Sequence, residues 1–206
     1  GEVAGSKADL LKRWRLAIDH EEPGQSLTLP AFYDAKRKHA IPSDYFHSMI
    51  DGVESDLVKD RYADFSELYQ YCYCVASTVG LVCVHVYGFD GSQQALEMAE
   101  ARGIGFQLTN ILRDVSEDLA LGRIYLPQDE LAAAGLSEDD LKSGASTPKL
   151  EKFLRIQVER AQSYYQRSHG LEDRVDASSR SSLTAMTRIY RALLDKVGEM
   201  GVKVLK

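Results

Sequence analysis

Residues 105–118 (GFQLTNILRDVSED) carry the side chains best suited to chemistry. On a helix turning about 100° per residue, take Gln107 as the zero. Asn110 then falls at about −60°, Asp114 at about −20° and Asp118 at about +20°. Four oxygen-bearing side chains therefore share one face. Two carboxylates at i, i+4 repel each other by a few tenths of a kcal/mol. A hard divalent cation is a reason to keep them, because magnesium takes one or two carboxylates and fills its remaining positions with water and substrate phosphate. Two aspartates at this spacing also describe an ordinary solvated face. Gln107 and Asn110 argue against that reading, because they extend the polar stripe into an apolar segment (Ile104, Phe106, Leu108, Ile111, Leu112) where polar groups must find partners. Just beyond, residues 122–127 (GRIYLP) form a short loop. Arg123 in that loop suits the oxygens of a metal-bound diphosphate.

A second stretch, residues 71–80 (YCYCVASTVG), is apolar and rich in small side chains. Ala76, Ser77 and Gly80 leave room beside a helix for a neighbouring helix or an extended hydrocarbon. Tyr71, Val75 and Thr78 fall on one face by helical spacing, and by spacing alone ordinary helix packing is the better account of them. No Asp, Glu, Lys or Arg occurs in residues 71–88. A membrane span needs about 20 mostly apolar residues. This stretch includes Ser77, Thr78, His85 and three tyrosines, so it reads as a buried central helix, with no transmembrane segment in the chain.

Helix punctuation accounts for the rest of the chain. Ser6 and Asp9 form a capping box opening a helix to about residue 19. Pro30 sits in the first turn of a helix that ends before Pro42. Ser43 caps a helix to about residue 59, and Asp64 with Glu67 opens the long apolar helix to Gly88. Ser92 starts the helix carrying Gln107 to Asp118, running to about Leu121. Short helices follow at Pro127 and Ser137, a long one spans 148–170, and a last one spans 178–200. Period-2 alternation is missing, so the fold class is all-α. The 206 residues are read as one domain. A net charge of −6 argues against a nucleic-acid partner. Cys72, Cys74 and Cys83 lie on one helix, out of disulfide geometry, which suggests a reducing, cytoplasmic setting.

Taken together, residues 71–80, residues 105–118 and the 122–127 loop resemble, in order, the two signatures of the squalene/phytoene synthase family. Residues 51–56 (DGVESD) and 188–195 (RIYRALLD) also look like family segments. The resemblance implies an isoprenoid synthase helical bundle around a central apolar cavity. It implies magnesium-dependent, head-to-head condensation of two C15 or C20 prenyl diphosphates through a cyclopropyl intermediate, with manganese as a substitute metal. NADPH enters only if the product is squalene. Release of an apolar product implies peripheral contact with a membrane. By resemblance, Asp114 and Asp118 are a metal-binding catalytic pair assisted by Asn110. Gln107 and Val75 contact substrate, Arg113 and Arg123 serve the diphosphate, Tyr71 is the active-site tyrosine, and Tyr190 is a second cavity tyrosine.

The family's first aspartate-rich motif is missing from this sequence, as is a basic segment beyond the last helix. A chain truncated at both ends is the expectation. Asp56 and Asp60 have the i, i+4 spacing but match a different family segment, so they are not taken for the missing motif. Two other readings remain. One is a non-catalytic relative acting as a scaffold, in which the aspartates usually erode. The other is a class I terpene cyclase, which would lack the Tyr71 signature.

Overall fold

The structure, a computed structural model, describes residues 6–21 and 26–206. Its regular elements are helical. Two isolated bridges, Arg61 with Ile124 and Phe89 with Val175, are the nearest approach to sheet among the described residues. The all-α expectation holds.

The first three helices are α1 (Lys7–His20), α2 (Leu29–Lys38) and α3 (Ser43–Ser55). Ser6 makes the expected capping box with Asp9. Ser43 does not cap α3. Pro42 takes the cap position, and no side chain bonds there. The helix also stops four residues short of Lys59. Leu57 and Val58 donate their N–H groups to Glu54 and Ser55 in a turn instead.

Next come α4 (Phe65–Cys72), a π-helical turn (Tyr73–Ser77) and α5 (Thr78–Tyr87). Asp64 caps α4 by accepting from the Glu67 N–H. The sequence pattern predicts an unbroken α-helix here. The π-turn adds one residue and rotates everything after it by roughly 100°. α6 (Gln93–Arg113) crosses this turn closely. A Cβ on Gly103 would stand 2.4 Å from Ser77 Cα, and the Ser77 hydroxyl donates to Glu100 O at 2.8 Å. Gly103→Ala is therefore expected to cost at least 1–3 kcal/mol, as overpacking against rigid backbone does. Urea unfolding checks this, as a lower midpoint at unchanged slope.

The helix predicted to reach Leu121 breaks at Asp114, where φ is −96° and ψ 7°, and resumes as α7 (Val115–Ala120). The Asp118 N–H still reaches Asp114 O at 2.9 Å, so one helical turn survives the break. Helices α8 (Gln128–Ala133) and α9 (Glu138–Ser143) are short. Two long helices complete the bundle, α10 (Pro148–Arg167) and α11 (Ala177–Met200), with a 3₁₀ turn at Leu171–Arg174 between them.

α6 is the central rod. It packs on α10 and α11 on one side and on the π-turn and α5 on the other. The core around it includes Cys72, Ile104, Leu108, Leu112, Leu150 and Leu194. The segment Phe65–Tyr87 is long and apolar enough to cross a membrane by length and composition, with a third of its most apolar window buried. In the bundle it packs against α3 and α6. The three cysteines are free.

Candidate active site

α6 brings the first half of the polar stripe, Gln107 and Asn110, to an apolar groove. Asn110 and Gln107 lie on its wall, with Val75 from the π-turn and Phe106 and Tyr190 from α6 and α11. The groove has a volume of about 240 Å³ and continues between Val79 and Val84 of α5 and Leu183 and Met186 of α11. The rings of Phe106 and Tyr190 stack at 4.2 Å. A larger hollow of about 540 Å³ lies between α10 and the end of α11, but it holds none of the motif's polar residues.

Polar groups of the stripe are incompletely satisfied. Asn110 donates to the Gln107 side chain at 3.4 Å, while its own Oδ1 is buried without a partner. Asp118 is partly buried. Burial first, and then the nearby Asp114 charge, push its carboxyl above the usual range, with Arg123 opposing them. Asp114 is held by its neighbour, accepting from Arg113 Nε at 2.6 Å. Two carboxylates and an orphaned amide oxygen one helical turn apart along the chain are, by their chemistry, a donor set that fits a hard, water-retaining cation such as magnesium. No group of three or more His, Cys, Asp or Glu able to hold a metal occurs among the described residues. The fit therefore depends on substrate and water completing the shell.

A second cluster is aromatic. Tyr125 stacks on both Tyr62 and Tyr71, with centroids 5.6 and 5.3 Å away, and Tyr62 meets Tyr71 tilted at 5.3 Å. Tyr71 is 7% exposed. Burial first, then its contacts with Tyr125 and Asp56, push its hydroxyl pKa well above the ordinary phenol value. Arg123 binds across this cluster, donating to the Asp56 carbonyl at 3.0 Å and to the Tyr125 hydroxyl at 3.4 Å.

The expected sharing of one cavity wall by Tyr71, Val75 and Thr78 needs correction. Val75 lines the groove. Thr78 is fully buried and donates back to Cys74 O at 2.7 Å. Tyr71 sits in the tyrosine stack on the other side of the π-turn. The rotation introduced by that turn separates the three. Arg113 pairs with Asp114 at the surface.

A profile of the family described as "Squalene/phytoene synthase" matches residues 2–205. The chain belongs to the squalene/phytoene synthase family. It is 40% identical over 194 residues to phytoene synthase 1, chloroplastic, of Arabidopsis thaliana, covering 91% of this chain and 46% of that protein. It is 45% identical to the chloroplastic phytoene synthase of an Oncidium hybrid cultivar, covering 91% and 47%. The chain thus spans about half the length of the curated relatives it matches. Among solved structures, the squalene synthase HpnC from Alicyclobacillus acidocaldarius superposes with a TM-score of 0.88 at 24% identity, covering 98% of this chain and 77% of that one. A dehydrosqualene synthase in complex with ligand gives 0.86 at 25% identity, covering 96% and 70%. The helical bundle is that of the squalene/phytoene synthases.

Within this family frame, the structure adds Asp56, Tyr62, Phe106 and Tyr125 to the neighbourhood of the motif residues. Tyr125 and Asp56 both lie in segments whose resemblance is visible in the sequence, yet nothing in the sequence brings the two together. The Asp56 contact needs the turn after α3 and the Arg123 loop to be brought together.

Proposed function

We propose that the parent protein condenses two prenyl diphosphates head to head, in the manner of a phytoene synthase. The observation that carries this is the partnerless Asn110 oxygen on the wall of an apolar groove, on the helix that leads directly to Asp114 and Asp118. An anion-and-metal site opening onto a hydrocarbon slot fits a substrate with a diphosphate head and a prenyl tail. The phytoene synthase relatives support a C20 substrate, for which no reductant is needed. NADPH belongs to the squalene alternative.

Roles follow from chemistry. The groove between α5 and α11 takes a prenyl chain and keeps water from it. Gln107 and Asn110 orient the head, and Arg123 offers a guanidinium to phosphate oxygens. Asp114, Asp118 and Asn110 would hold magnesium, which when bound offsets the charge growing on the departing diphosphate. Arg113 competes with that cation for Asp114, so loading would free Arg113 to turn toward phosphate. The allylic carbon left behind is attacked by the double bond of the second substrate. Tyr190, stacked on Phe106 in the groove wall, bounds the region where that positive charge develops. The apolar product would leave toward a membrane surface, which the exposed Val79 on the groove wall suits.

Intact Asp114, Asp118, Asn110 and Gln107 favour catalysis over a scaffold role. Full-length protein given C20 prenyl diphosphate and magnesium should form a C40 hydrocarbon without NADPH, and chelation by EDTA should abolish it. Formation of no hydrocarbon, or product undiminished by EDTA, would overturn this reading.

A further inference from the structure

The apolar groove has a polar end and a blind end. α5 and α6 run antiparallel along it. Ser77 meets Gly103, and further along a Cβ on Gly80 would stand 3.3 Å from Ala99 O, so the two backbones close the floor there. On α6 the wall follows one helical stripe, from Asn110 through Phe106 and Gly103 to Ala99. On α5, Val79, Cys83 and Tyr87 lie four apart and so share a face that continues past the level of Ala99. α11 sets Tyr190 on Phe106 near Asn110 and sets Leu183, two turns earlier, at the other end. Ala99, Leu171 and Leu183 are buried there in one apolar cluster, and Cys83 is half-buried beside them. Arg102 also lines the wall, but Ser168 and Glu172 engage its guanidinium.

Asn110 and Ala99 are eleven residues apart on α6, which is about 16 Å of helix. An extended chain advances at most ~3.6 Å over the three backbone bonds of a residue, so the four chain bonds of an isoprene unit advance about 5 Å. Roughly three units therefore fit between Asn110 and the blind end. With the diphosphate-bearing unit held beside Asn110, a four-unit C20 tail ends against Cys83 and Leu183. A three-unit C15 tail leaves that end unfilled and forfeits its contacts. A five-unit C25 tail overruns it and must strain the packing. We propose that Cys83, with Leu183 and Tyr87, is a chain-length stop that selects a C20 prenyl diphosphate over its C15 and C25 counterparts. This rests on the reading above that the groove takes a prenyl chain.

The test is calorimetric binding to full-length protein with magnesium. The probes are C15, C20 and C25 prenyl diphosphates in which sulfur replaces the oxygen between carbon and phosphorus, so that they resist ionisation. Wild-type protein is expected to bind C20 at least tenfold more tightly than C15, because the added unit buries five more carbons, and C25 no more tightly than C20. Cys83→Phe fills the blind end and should lower the ratio of C20 to C15 affinity at least tenfold. Tyr87→Ala opens the same end and should raise C25 affinity relative to C20 at least fivefold. It decides the matter if Cys83→Phe does not fold. Equal weakening of C15 and C20 in Cys83→Phe would overturn the proposal, as would a length preference unchanged in Tyr87→Ala or absent from wild type. Hydrocarbon formation from C20 prenyl diphosphate is measured alongside. Its absence with the length preference intact would sink the condensation reading alone, so the two failures are separate.

Discussion

Asp118→Asn is expected to abolish turnover while raising the melting temperature in metal-free buffer. The carboxyl of Asp118 lies above the usual range because burial and Asp114 both disfavour its charge. The sign of the pH effect follows. A carboxyl with a raised native pKa binds more protons folded than unfolded, so it favours folding at low pH. That contribution is lost as pH rises from the unfolded value through the native one. At neutral pH the ionised Asp118 is therefore a burden on the metal-free bundle, and an uncharged amide relieves it. Asp114→Asn should differ in stability, because Asp114 is paired with Arg113 at 2.6 Å. An exposed pair of this kind contributes about 0–1 kcal/mol, so its melting temperature should stay or fall slightly. Turnover should drop in both by on the order of 10² or more, since a metal ion stabilises the departing charge by several kcal/mol and each ~1.4 kcal/mol is tenfold. Assays against magnesium concentration, with melts at several pH values, check both halves. Turnover near wild type in Asp118→Asn would remove its metal role. A lowered melting temperature would make it a structural residue.

Arg102→Met is expected to give the largest loss of stability among single changes away from the carboxylates. Arg102 is 4% exposed. Its guanidinium donates to Ser168 Oγ at 2.8 Å, to Ser168 O at 2.7 Å and to Glu172 at 2.7 Å, and it also bonds Thr187. One side chain thus ties α6 to the end of α10, the 3₁₀ turn and α11. Removing one partner of a buried ion pair costs roughly 3–5 kcal/mol, because the other is left unpaired. At about 2–4 °C per kcal/mol for a chain of this size, the melting temperature should fall by roughly 10 °C. Arg102→Lys should rescue little, since a point charge cannot reproduce the fork. Burial alone would raise the Glu172 pKa, but Arg102 and Thr187 more than offset it, and the net shift is downward. The contribution of Glu172 is therefore present above its unfolded pKa and lost as the solution is acidified through the lower native value. In Arg102→Met that acid dependence should shrink. A melting temperature within about 2 °C of wild type would contradict this account of the tie.

Local rules in the sequence determined the helix inventory. Ser6 with Asp9, Asp64, Ser92 and Ser137 cap where their hydrogen-bonding preferences say, because a cap needs only a few consecutive residues. The same locality made the 105–118 stripe legible, since side chains three and four apart on a helix must share a face. The family likewise followed from two motifs read in order. Where distant segments press on one another, local rules fail. At the π-turn, Tyr73–Ser77, Gly103 lets α6 pass directly against Ser77. That single inserted residue sends Val75 to the groove, Thr78 into the core and Tyr71 into the tyrosine stack. The break at Asp114 and the shortened α3 are of the same kind. Tyr125 meets Tyr71, and Arg123 meets the Asp56 carbonyl, only after the turn following α3 docks under the Arg123 loop, 67 residues away in sequence. Spacing along the chain carries no information about such a contact, and only the tertiary packing decided it.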